Sequence, residues 1–177
     1  MNTSANPVTE TEPAADTEPN PETSPESRPE IRILKTASCK SLSGKSKLTF
    51  NIGCNPAGEI QFQVTGNDGG GYWNDDWVAQ SSIQAVLDRL PTGSPITSAT
   101  FRTIYPSKST NSPGFLAAVL RDIGLLQPSQ DRPRCYELGS PNEFISEVNG
   151  LLGAGGIAGR KTLTLKGRAK KAAQTLA

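Results

Sequence analysis

Cationic and hydroxyl side chains crowd around one short apolar stretch of this chain, and their types suit phosphate. Lys108, Ser109, Thr110, Asn111 and Ser112 fall in succession just before the run Pro-Gly-Phe-Leu-Ala-Ala-Val-Leu-Arg-Asp-Ile at 113–123. If that run is helical, these donors gather at its N-terminus, where unpaired amides and the helix dipole already favour an anion. Arg121, further along the run, is its one strong reader of base edges. Arg132 and Arg134 follow in a polar loop, where they can track phosphates or enter a minor groove. Arg160, Lys161, Lys166, Arg168, Lys170 and Lys171 form a basic tail. Such a tail adds sequence-independent affinity for nucleic acid by releasing counterions.

Other chemistries are sparser. The chain has no histidine, which removes His-based nucleophile activation, His general bases and His metal ligands. Cys39, Cys54 and Cys135 form no CxxC pair and read as buried apolar thiols. The sequence Ser-Gly-Lys-Ser at 43–46 looks like the end of a phosphate-binding loop. Position 39, however, is Cys where that pattern needs Gly, and a strand rather than a helix follows. It reads as a hairpin loop whose neighbours Lys40, Lys45 and Lys47 are left to touch phosphate. Asp75 and Asp76 have a sufficient role at a helix start. Tyr72, Trp73 and Trp77 are core anchors first and base-stacking candidates second. No catalytic, metal or cofactor site is expected.

The elements that must position these groups follow from periodicity. Residues 31–39 alternate loosely. Leu48, Phe50, Ile52 and Cys54 share one face of a strand over 47–54, and Ile60, Phe62 and Val64 share one face over 59–65. The turn Asn-Pro-Ala-Gly at 55–58 joins them as a hairpin. The expected sheet has three antiparallel strands, one face apolar. Ala79, Ile83, Val86, Leu87 and Leu90 then form a helical stripe that covers it, capped by Asn74 or Asp75. Residues 96–104 are expected as a short helix. In the run at 113–123, Leu116, Val119, Leu120 and Ile123 turn inward, with Ser112 as cap, Pro113 in the first turn and Gly124 as the stop. That leaves Gly114, Ala117, Ala118, Arg121 and Asp122 outward. Residues 135–138 read as a returning strand, and 142–152 as one more helix.

Helix, turn, apolar helix, turn and strand over residues 95–139 resemble a winged helix-turn-helix. The likeness lies at superfamily level and covers about a third of the chain. It implies a protein that binds nucleic acid, double-stranded DNA ahead of RNA. Such a protein would be a transcriptional regulator or accessory factor of bacterial or mobile-element type. The other reading is a protein-interaction adaptor that uses the winged-helix surface without nucleic acid.

The expected fold class is therefore α+β. A single domain spans 31–152, with its sheet over 31–73, its helix and winged part over 74–139 and a short helix over 140–152. Residues 1–30 hold seven acids against Arg28, a net −6, with six prolines and little that is apolar. They are expected to be disordered and available to a protein partner. Residues 153–177 form a basic tail, net +6 over 157–177 and without an acid. These opposite ends are expected to attract each other. No apolar run approaches the ~20 residues of a membrane span, and the first residues lack signal-peptide character. The expected location is cytoplasmic.

Overall fold

The computed structural model describes residues 30–105 and 109–154. The leader up to residue 29, Lys108 and the tail from residue 155 lie outside the described residues.

The chain begins with a meander of three antiparallel strands, β1 (Arg32–Lys40), β2 (Lys47–Cys54) and β3 (Ile60–Asn67). Strand periodicity sets the pairing: Leu48, Phe50, Ile52 and Cys54 are buried along β2. Opposite them stand Cys39 against Leu48 and Ala37 against Phe50 on β1, and Phe62 against Ile52 on β3. The sheet has four strands, not the three expected. The extra one is β4 (Val78–Ala79), which places Val78 opposite Phe62 and Ala79 opposite Gln61. Two residues are too few to show an alternation in sequence.

Helix α1 (Gln80–Asp88) starts later than expected, and neither Asn74 nor Asp75 caps it. Asn74 Oδ1 accepts instead from the Asp76 amide at 2.7 Å, closing a local turn. The carboxylate of Glu59 takes the capping place. It accepts hydrogen bonds from both the amide and the hydroxyl of Ser81, and its charge suits the positive end of the helix. The expected short helix is a 3-10 helix (Ser98–Ile104) with a capping box between Thr97 and Thr100.

Helix α2 (Ser112–Asp122) follows, with Asn111 rather than Ser112 at the cap position and Pro113 in the first turn. Gly124, at φ +77°, ends it in the left-handed region, and the Leu125 amide bonds back to Leu120 O at 2.9 Å. Then come a hairpin, β5 (Leu126–Pro128) and β6 (Tyr136–Leu138), and helix α3 (Asn142–Ala154). Ile96 bridges Tyr136 on the other side of β6.

Buried residues of the sheet, the three α-helices and the 3-10 helix merge into one apolar cluster. Phe62 meets Phe144 of α3 at 5.8 Å between ring centroids. No helix among the described residues is long and apolar enough to cross a membrane.

Helix, helix and hairpin thus occur in the expected order. The free face that the resemblance implies for α2 does not. Seven of its eleven residues are buried, and Ala117 and Ala118, expected outward, have 0% exposure. A helix touched on both the 3-10 helix side and the β1 and β5 sides has no room for larger side chains there. Ala118→Leu should therefore destabilise the fold by about 1–3 kcal/mol through overpacking. Urea unfolding checks this, because a solvent-facing position would shift by no more than about 0.5 kcal/mol.

Candidate nucleic-acid interface

The turn between β1 and β2 is held from within. The Ser41 amide donates to Ser46 O at 2.8 Å, the Gly44 amide donates to Ser41 O at 2.9 Å, and the buried Ser41 hydroxyl accepts from the Ser46 amide at 3.3 Å. Gly44 supplies the positive φ, +72°, that the turn requires. This fixed turn carries Lys45, and the strand register sets Lys40 directly opposite Lys47. Like charges facing each other across a ladder are destabilising. Among the described residues the ion pair is Lys35 with Glu147, so none of the three lysines is neutralised that way. Asp68 lies close, but its carboxylate accepts from the Lys47 backbone amide at 2.6 Å.

Arg121 joins the group from α2. Its Nη2 donates to Lys40 O at 3.2 Å, which ties the last turn of the helix to the end of β1. A shallow depression of about 490 Å³ opens here, bordered by Lys40, Lys45, Lys47, Ser46, Asp68 and Asp122. Three lysines against two carboxylates leave the rim positive, with Arg121 held beside it at the end of β1.

The sheet face turned away from the helices continues from this rim. Thr36 Oγ1 donates to Asn51 Oδ1 at 2.8 Å, Asn51 Nδ2 donates to Gln63 Oε1 at 3.2 Å, and Gln63 Nε2 donates to Asp75 O at 2.8 Å. This row crosses three strands and satisfies its own polar groups. Thr36, Ser38, Lys40, Lys47 and Thr65 remain exposed. The sequence carries the signal for the row, since Lys47, Thr49 and Asn51 of β2 and Gln61 and Gln63 of β3 alternate with apolar residues, but each alone looks like ordinary solvated strand surface.

The three aromatics sort differently. Trp73 packs against the core and its indole N–H donates to Val64 O at 3.2 Å. Tyr72 is 74% exposed. Trp77 lies outside the apolar cluster, over Gly53 on the outer face.

Of the residues singled out from the sequence, Ser109, Asn111 and Ser112 do come together, but their side chains are engaged by the connector. The Ser109 hydroxyl and Asn111 Nδ2 both donate to Tyr72 O at 2.9 Å, and the buried Ser112 Oγ accepts from the Asn74 amide at 2.8 Å. They fasten the 68–77 connector to α2 rather than presenting donors to a ligand. Thr110 stays exposed beside them. Arg121 is brought to the lysines instead. Arg132 and Arg134 are exposed in the β5–β6 loop, with Arg134 in the left-handed region at φ +60°. Arg132 borders a separate groove of about 570 Å³ between the end of α1 and that hairpin, lined by Leu87, Leu90, Ile96 and Tyr136. Lys108, Arg160, Lys161, Lys166, Arg168, Lys170 and Lys171 lie outside the described residues.

No protein-family model matches the sequence, and no curated protein or solved structure shows significant similarity to it.

The thiol beneath the rim is inert. Burial first, and then the charge of Asp122, push Cys39 up from 9.0 to about 11, against a smaller pull from Arg121. Burial likewise raises Cys54, partly offset by Arg32. Burial and then Asp76 raise Tyr105 well above its ordinary value. Each folded group keeps its proton where the unfolded chain has lost it. Stability is therefore full below about pH 9 and falls as pH climbs through about 11. Urea midpoints should be lower at about pH 10.5 than at about pH 8, and Cys39→Ala should flatten part of the fall. An unchanged midpoint would contradict this assignment.

Proposed function

We propose that this protein binds nucleic acid, gripping the phosphate backbone at the β1–β2 hairpin. The observation that carries the reading is the Lys40–Lys47 pair, facing like for like beside Lys45 and without an ion-pair partner among the described residues. Stability alone gives no reason to place these charges together. An anion with regularly spaced charges does, since each ammonium can meet one phosphate oxygen. Arg121 supports the same patch by holding the end of β1. The basic tail adds further charge of the same sign.

The mode differs from docking of a recognition helix. α2 is packed too deeply to enter a groove, and the hydroxyls at its start are spent on the connector. Contact is to backbone, so it carries little base sequence information. The reading as a regulator or accessory factor rests on that general affinity. The adaptor reading has its own support in the apolar groove beside β6. It expects partner binding that ignores the hairpin lysines.

Replacing Lys40, Lys45 and Lys47 together with Gln should weaken binding to fluorescent oligonucleotides in anisotropy titrations. Between about 50 and about 200 mM salt, the log–log slope should fall by about 2 for single strands or about 3 for duplex. The variant should be no less stable than the parent, because a like-charge pair is relieved. An unaltered slope and affinity in a folded variant would overturn the proposal.

A further inference from the structure

Resting on the phosphate-gripping reading above, we infer that the preferred ligand is a single strand, lying along the outer sheet face with a base stacked on Trp77. Three observations carry this. The first is the placement of Trp77. A large aromatic normally adds its area to the core, yet Trp77 is not part of the apolar cluster, although Trp73, four residues earlier, is. It lies instead over Gly53, on the outer face of β2. A Cβ on Gly53 would stand 2.7 Å from Trp77 Cζ3 and 2.6 Å from Ile31 Cγ2. The missing side chain lets the indole settle onto the strand backbone, while the residue remains only half-buried.

The second is the path between ring and charge. Gly53 and Lys47 belong to the same strand, β2, and to the same face. Six residues of strand separate them, about 20 Å at ~3.3 Å per residue. Between them lie Thr49 and Asn51, flanked by Ser38 and Thr36 of β1 and by Gly66 and Gln63 of β3. The hydrogen-bonded row through the buried Asn51 leaves no polar group there demanding a partner. Asp75 of the connector takes the β3 side at Gln63, so the path for an extended chain runs over the exposed Thr36 and Ser38 of β1. Each helix buries its apolar side with the opposite face. Ile33, 54% exposed, widens the apolar spot at the Trp77 end.

The third is chemical. A ring can stack only on a base whose face is open, and in a duplex those faces are already occupied by neighbouring pairs. The lysines serve either form of nucleic acid, whereas Trp77 serves only the unpaired one. Lysines at one end and a ring at the other match the charge and the base faces of one strand. Because stacking does not engage the sugar, both DNA and RNA strands fit at Trp77.

The test uses the full chain carrying Trp73→Phe, which makes Trp77 the sole tryptophan. It is titrated with oligo(dT), oligo(U) and a duplex of matched length, with anisotropy reporting binding in parallel. Trp77 emission should be quenched by both single strands and left unchanged by the duplex. In the otherwise unaltered chain, Trp77→Ala should lower single-strand affinity about 5- to 100-fold. Duplex affinity should stay the same, and Trp77→Phe should keep most of the single-strand binding. If single strands bind without changing Trp77 emission, or if Trp77→Ala weakens strand and duplex equally, the stacking inference is overturned. The phosphate-gripping reading then still stands on its lysine dependence. Absence of any binding at low salt would overturn both.

Discussion

Covering one apolar sheet face organises everything else in this chain. Leu48, Phe50 and Ile52 of β2 and Ile60 and Phe62 of β3 project to the same side and are almost completely buried. Burial of such side chains stabilises by about 1.5–3 kcal/mol each, more than any other local preference here. Phe144 and Val148 of α3, Ile83 and Leu87 of α1, and Leu116 and Leu120 of α2 all contribute to that one cluster. The geometry has two consequences. Helix α2 is spent as filling and keeps no free flank. The reverse side of the sheet receives no helix among the described residues and, apart from the Trp77 end, stays polar, as one face of an antiparallel sheet commonly does.

The parts of the fold that were legible in the sequence are those with a clean period. The β2–β3 hairpin showed itself in alternating residues around Asn55 and Gly58, and α2 in its Leu116, Val119, Leu120 stripe with Gly124 as terminator. What misled was chemistry that suits two places. Asn74 and Asp75 have the side chains of a helix cap, but Asn74 bonds within its own turn and Glu59 caps α1 from 22 residues away. Ala117 and Ala118 looked outward because they fall off the apolar stripe. Small residues suit close packing equally well, and no single-helix pattern reveals how many neighbours a helix will have. The hydroxyls of Ser109 and Ser112 had the same double meaning, and the connector took them.

The interface was legible only in fragments. Lys40, Lys45 and Lys47 were visible as phosphate contacts left over from a failed loop motif. Their confrontation depends on strand register, which fixes Lys40 against Lys47. Arg121 stood out as a base reader on a recognition helix, and the structure bends it to the end of β1 instead. Trp73 and Trp77 were indistinguishable by residue type. Their separation into core and surface follows from strand parity, since Val78 must face Phe62 and its predecessor therefore faces the other way. A hairpin that satisfies its own backbone groups and leaves its ammonium groups without an ion-pair partner among the described residues is well placed to hold an extended polyanion. Holding one in this way would require little ordering of the hairpin itself.

Central to this account is that the helix-free side of the sheet is the contact surface. Backbone amide shifts in two-dimensional NMR, followed during titration with a single-stranded oligonucleotide, address that most directly. The largest changes are expected at Ser38, Lys40, Lys45, Lys47 and Thr49 and at the Trp77 indole, with α2 and the 127–138 hairpin still. Changes confined to α2 or to the groove beside Tyr136, with the sheet unmoved, would contradict it.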